Sequence, residues 1–167
     1  MIRPILILVI LFFGPRASVF PQTLSGHVYV LTESFSQDGC KPMIECDCCS
    51  SDIVFMTDKE FVMIDRCLHN DSFYKGKFEV NKENLTLKFN QLVVKEIYNE
   101  NTQETKTEKK NLKIEPVKFY ITSCGTDKLV LQRLGIKVLT KAFNVTLDSE
   151  EKIKKEIKES KAWKILE

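Results

Sequence analysis

Polar and apolar positions alternate with the period of a β-strand through the middle of this chain. From Phe73 to Val80, Tyr74, Gly76, Phe78 and Val80 share one face while Lys75, Lys77 and Glu79 share the other, which predicts a strand with one wet side. Leu85, Leu87 and Phe89 continue the apolar face after the turn Asn81-Lys82-Glu83-Asn84. Beyond Asn90-Gln91 the apolar positions change parity to Leu92, Val94 and Tyr98, the mark of a bulge or bend at which the strand changes partner. Upstream, His27 to Phe35 is dense in β-branched and aromatic residues, and Asp52 to Met56 and Glu60 to Cys67 flank Thr57-Asp58-Lys59 as the arms of a hairpin. Downstream, Val117, Phe119 and Ile121 alternate with Lys118, Tyr120 and Thr122, and Cys124-Gly125-Thr126-Asp127 turns the chain into Lys128 to Leu134.

Two stretches differ in character. Asn99 to Lys110 is rich in Thr, Lys and Glu and reads as a long solvent-exposed hairpin, because Thr105 and Thr107 favour β structure. In the tail, Asp148 with Glu151 three residues on is placed to cap a helix over about 149–160, with Ile153 and Ile157 one turn apart. The closing Ala162-Trp163-Lys164-Ile165-Leu166 is apolar enough to dock on the body, as a short strand or a last helical turn. Counting both halves of the polar hairpin gives about eight consecutive antiparallel strands, the number that closes a small up-and-down barrel. The alternative architecture is an open antiparallel sheet with one packed helix.

Composition narrows the function. Hydrophobic residues at 43% and charged ones at 29% are ordinary globular usage, which argues against wholesale disorder and against an integral membrane protein. The 25 basic and 23 acidic residues leave a net charge of +2, too weak for a counterion-driven hold on nucleic acid. At the N-terminus Arg3 precedes the apolar run Ile5 to Phe13, then Gly14-Pro15 and the small residues Ala17 and Ser18, the layout of a secretory leader. That run falls far short of the roughly 20 residues of a membrane-spanning helix, so stable membrane insertion is not expected. Residues 1–22 are therefore read as a signal peptide and 23–167 as a single exported domain, secreted or periplasmic.

Several segments resemble the lipocalin-like domain proteins exported by bacteria. They are Gly26-His27-Val28-Tyr29, Asp52-Ile53-Val54-Phe55, Tyr74-Lys75-Gly76-Lys77-Phe78 followed by Leu85-Thr86-Leu87, and Leu129-Val130-Leu131-Gln132-Arg133 before a helix. The resemblance runs from Gly26 to about Arg133. It implies a barrel that binds a small apolar molecule, or one with no known ligand. Lipocalins usually carry Gly-x-Trp at the first strand, whereas Val28 stands third here and the sole tryptophan is Trp163.

Export sets the reading of the cysteines. Cys40, Cys46, Cys48, Cys49, Cys67 and Cys124 all follow the leader, and an oxidising compartment favours disulfides. A two-residue turn at Asp58-Lys59 pairs Phe55 with Val62 and Ile53 with Ile64, and sets Cys67 opposite Ser50 and beside Cys49. A bridge from Cys67 to Cys48 or Cys49 then fits, with Cys40 and Cys124 tied to the remaining members at the same end of the sheet. The sharper alternative is a thiolate metal site of Cys46, Cys48, Cys49 and Cys67 with His69, or a labile bridge; the C-x-C-C spacing fits no standard zinc pattern.

No nucleophile or acid–base pair stands out, and no catalytic residue, metal or cofactor is assigned. His27 and His69 read as surface or hydrogen-bonded residues, and of Asp65 and Arg66 one faces a cavity if either does; Arg133 is placed to cap a barrel mouth or lie exposed. The leading expectation is a non-enzymatic barrel with a small hydrophobic ligand inside, or a protein at its mouth, and with Tyr74, Phe78, Leu87, Phe89, Phe119 and Leu131 pointing inward. The second is a structural or interaction protein whose barrel is filled by its own side chains. The third is a cysteine-cluster metal-binding or redox protein.

Overall fold

The computed structural model describes residues 24–43, 49–68, 70–125 and 128–167. Nine strands lie among them: β1 (Val28–Thr32), β2 (Cys49–Phe55), β3 (Glu60–Cys67), β4 (Asn70–Asn81), β5 (Asn84–Asn99), β6 (Glu104–Asn111), β7 (Val117–Cys124), β8 (Lys128–Arg133) and β9 (Lys141–Asn144). Two helices follow, α1 (Leu147–Glu159) and α2 (Lys161–Leu166). Antiparallel ladders run from β1 through β2, β3, β4 and β5, pass from β5 to β7, continue through β8 and β9, and return from β9 to β1. The ring is a closed eight-stranded barrel with β6 outside it.

The expected strand number holds, but its membership differs. The polar hairpin supplies no wall strand, because Lys106, Glu108 and Lys110 would have to point into an apolar interior. Its second arm, β6, instead pairs with Leu92–Asn99 of β5, while β7 pairs with Asn84–Leu87. The predicted change of partner after Asn90-Gln91 falls in this interval. A bulge accompanies it: Gly76 faces Phe89 while Tyr74 faces Val93, so β5 holds two more residues than β4 there. The ring is closed by β9, whose four residues are too few for alternation to show in the sequence.

The hairpin between β2 and β3 is offset by one residue from the two-residue-turn expectation. Thr57 Oγ1 accepts from the backbone N–H groups of Lys59 and Glu60, which draws the turn one residue toward the N-terminus. Phe55 therefore faces Phe61, Ile53 faces Met63, and Cys49 faces Cys67.

Two apolar layers share these strands. Tyr29, Ile53, Phe55, Phe61, Phe78, Leu85, Leu87, Phe119, Ile121 and Leu131 fill the barrel, with Leu24 buried among them at one end. Ring contacts are edge-on, Phe55 lying 5.7 Å from Tyr29 and 4.8 Å from Phe78. The alternate residues Val28, Val54, Val62, Ile64, Phe73 and Val94 face outward and are covered by Ile157 of α1 and Ala162 of α2. Burial on both faces explains why β2 and β3 read as unbroken apolar runs.

Helix α1 begins two residues earlier than expected and is capped differently. Thr146 is the N-cap residue, with no side-chain cap bond, and Asp148 sits in the first turn. Buried Glu150 ties the helix to the barrel by accepting from His27 Nδ1 at 3.0 Å, the Val28 N–H at 3.1 Å and Asn144 Nδ2 at 2.8 Å. The tail resolves as a helix: Ser160 Oγ caps it by accepting from the Trp163 N–H, and Glu96 Oε1 accepts from the Ala162 N–H at 2.6 Å. Trp163 lies in the outer layer, with Lys75 Nζ 5.3 Å from its ring centre, far from a barrel floor.

Candidate ligand site at the barrel mouth

The two ends of the barrel are built differently. At the end where β1, β3 and β8 begin, Leu24, Tyr29, Phe55 and Leu85 are buried, with Val80 and Leu129 half-buried beside them. At the opposite end the inward positions are Leu31, Met63, Phe89 and Val117, all only half-buried. Strand alternation carries the same face on to Ser51 of β2, Asp65 of β3 and Arg133 of β8, the last directly opposite buried Phe119. Apolar wall thus gives way to polar rim.

Each rim group has a local reason for its position. Ser51 and Asp65 are cross-strand partners, and the Ser51 hydroxyl donates to Asp65 Oδ1 at 2.7 Å. Tyr74 borders the same carboxylate; burial and the Asp65 charge both push its phenol above the ordinary value. Among the described residues no ion pair engages the Arg133 guanidinium. These groups surround a cleft of about 440 Å³ whose walls include Leu31, Ser51, Asp65, Arg133, Thr140 and the Cys49–Cys67 bridge. The lining combines the guanidinium groups of Arg133 and Arg66 and the carboxylates of Asp65 and Glu33 with Leu31 as its aliphatic member, a set suited to a charged head group with a short apolar contact.

Asp65 is the inward member of the pair weighed from sequence, and Arg66 points out. Arg66 meets Asp52 at 2.9 Å, Asp71 at 3.4 Å and Glu156 of α1 at 3.3 Å, a network that binds β3 to the covering helix. Burial alone would lower its pKa, but the three carboxylates outweigh that and raise it.

Of the six expected inward residues, Phe78, Leu87, Phe119 and Leu131 are buried in the filled part of the barrel. Tyr74 and Phe89 lie nearer the mouth, with ring centres 6.0 Å apart. None of the six lines the rim cleft. Ser51, Met63 and Leu31 were not singled out from sequence; the signal that finds them is their even spacing from Ile53, Phe61 and Tyr29.

Among the described residues there are two disulfides, Cys49–Cys67 and Cys40–Cys124. The second corrects the expectation that Cys40 and Cys124 join other members at a shared end, for it joins them to each other at the end opposite Cys49–Cys67. The loop after β1 folds back along the outside of the barrel, held by Lys141, whose Nζ donates to the Gly39 carbonyl and lies 4.6 Å from the Phe35 ring centre. Cys49 and Cys67 are consumed by their bridge and so cannot be thiolate ligands of the weighed metal set. Its other members, Cys46, Cys48 and His69, lie outside the described residues. A second cleft, of about 480 Å³, runs beside Cys40 between that loop and Val130 and Phe143, which face away from the interior. It is slightly larger than the mouth cleft and touches the interior layer at Tyr29 and Leu129; its charged members include Lys41 and Lys128.

No protein-family model and no curated protein sequence matches the chain. Among solved structures it is similar to a streptavidin-like protein from Bacteroides eggerthii, with a TM-score of 0.59 over 83% of this chain and 91% of that one at 9% identity. That likeness is one of fold. What it supports of the lipocalin-like expectation is the eight-stranded antiparallel barrel.

Proposed function

We propose that this chain is an exported, non-enzymatic barrel protein that holds a small amphipathic molecule at its open end. The apolar body of the ligand lies on Leu31, and an acidic head group meets Arg133, with Asp65 accepting from any donor beside it. The observation that carries this reading is the cleft at this end of the barrel, where Leu31 lies beside Asp65 and an Arg133 guanidinium that has no ion pair among the described residues. The streptavidin-like likeness supports a non-enzymatic binding barrel, and the apolar leader with disulfides at both ends supports an oxidising, extracytoplasmic setting.

Thermal unfolding in the presence of medium-chain carboxylic acids and of the matching primary amines tests the site. The acids are expected to raise the melting temperature, and the amines to do so much less. Arg133→Gln is expected to abolish the acid effect while leaving the unliganded melting temperature within experimental scatter, because its guanidinium has no ion-pair partner to lose. Absence of any shift with all probes, or an equal shift in Arg133→Gln, sinks the reading.

A further inference from the structure

Strand β6 is the end of the sheet order, so its second edge carries backbone N–H and C=O groups that no other described strand pairs. It is also exposed along its length except at Thr107. A free edge of this kind is a template for strand addition, and proteins commonly blunt it with charged residues, lysine above all, or with proline. β6 has no proline, and its charges are of both signs. The sequence Glu104-Thr105-Lys106-Thr107-Glu108-Lys109-Lys110-Asn111 alternates acid and base along one face.

We infer that β6 pairs with β6 of a second copy of this chain, antiparallel about a two-fold axis through Thr107. In that register Glu104 stands opposite Lys110 of the other copy and Lys106 opposite Glu108, each contact repeated by symmetry, with no like charges facing. Sliding the register by two residues one way sets Lys106 against itself and Glu104 against Glu108. Sliding it the other way sets Glu108 against itself and Lys106 against Lys110. Among registers that keep the same face of both sheets up, the charge pattern therefore selects this alignment.

The Lys106–Glu108 contact already present within one strand, at 2.8 Å, shows both side chains on the same face and available to re-pair across the axis. The product is a continuous sheet running β5, β6, β6, β5 with a self-complementary interface. This inference is independent of the ligand reading, since β6 takes no part in the mouth cleft.

Sedimentation equilibrium on the purified, oxidised chain tests it with two exposed substitutions. Lys106→Glu sets glutamates against each other across the axis, and Glu108→Lys does the same with lysines. The wild-type chain is expected to be a dimer, and each variant alone to dimerise at least about tenfold more weakly. An equimolar mixture of the two variants recreates opposite charges and is expected to form a mixed dimer near wild-type strength. A monomeric wild type, a dimer that survives both single substitutions, or variants that stay apart on mixing each overturn the inference. Circular dichroism of the two variants, expected to match wild type, confirms that lost association is not lost folding.

Discussion

Gly76 sits where β4 faces the bulge of β5, and a Cβ built there would run into the Lys88 carbonyl and the Phe61 ring. Neither neighbour can retreat, one being backbone and the other fully buried. Gly76→Ala is expected to cost about 1–3 kcal/mol in urea unfolding, the range of an overpacked core; a neutral result would mean that the bulge relaxes. Glu150 illustrates the opposite case, a buried charge that the fold satisfies. Burial works to raise its pKa, but bonds from His27, Asn144 and the Val28 N–H outweigh this and hold it below its ordinary value of 4.5. Its stabilisation is therefore full above that value and is lost as pH falls through the lower, folded one. Glu150→Gln is expected to be about 1–2 kcal/mol less stable at neutral pH, with the gap to wild type closing below about pH 4.5. A gap that stays constant through the acid range in denaturant titrations would show that the charge is irrelevant. Asp52 runs the other way: burial outweighs the attraction of Arg66 and raises its pKa, so its contribution fades as pH rises through the folded value.

At the scale of elements, the disulfides differ in what they close. Cys49–Cys67 spans 18 residues across one hairpin, whereas Cys40–Cys124 spans 84 and links the loop after β1 to the end of β7. Loop-closure entropy gives about 3 kcal/mol for the first and about 4.5 kcal/mol for the second. Replacing both cysteines of a pair by serine is expected to destabilise more for Cys40–Cys124, as read from denaturant midpoints; the reverse order would show that the bridges act through local geometry. Most elements were legible in the sequence because alternation is a direct image of a strand with one buried face. The exceptions have physical causes. β6 carries no apolar residue and so looked like any polar hairpin arm, and only the ladder shows that it leaves the ring. β9 is too short to display a period. The hairpin register turned on a single hydroxyl, Thr57 Oγ1, whose choice of partner the pattern does not encode.

At the scale of the whole molecule, the sequence revealed the barrel more readily than the site. Phe78, Leu87, Phe119 and Leu131 lie inside, yet inward direction alone does not distinguish a packed core position from one that lines a cleft. Asp65 and Arg133 were noticeable as charges near strand ends, but their meeting at one rim needed the closed ring, since 68 residues separate positions 65 and 133. The ring also has a seam. β1, the first strand, is completed on its second side only by β9, through Tyr29 opposite Asn144 and Thr32 opposite Lys141. The last strand made is the one that the first strand waits for. A chain emerging N-terminus first cannot close this ring until Asn144 is free, so closure of the barrel is a late step that waits on nearly the whole sequence.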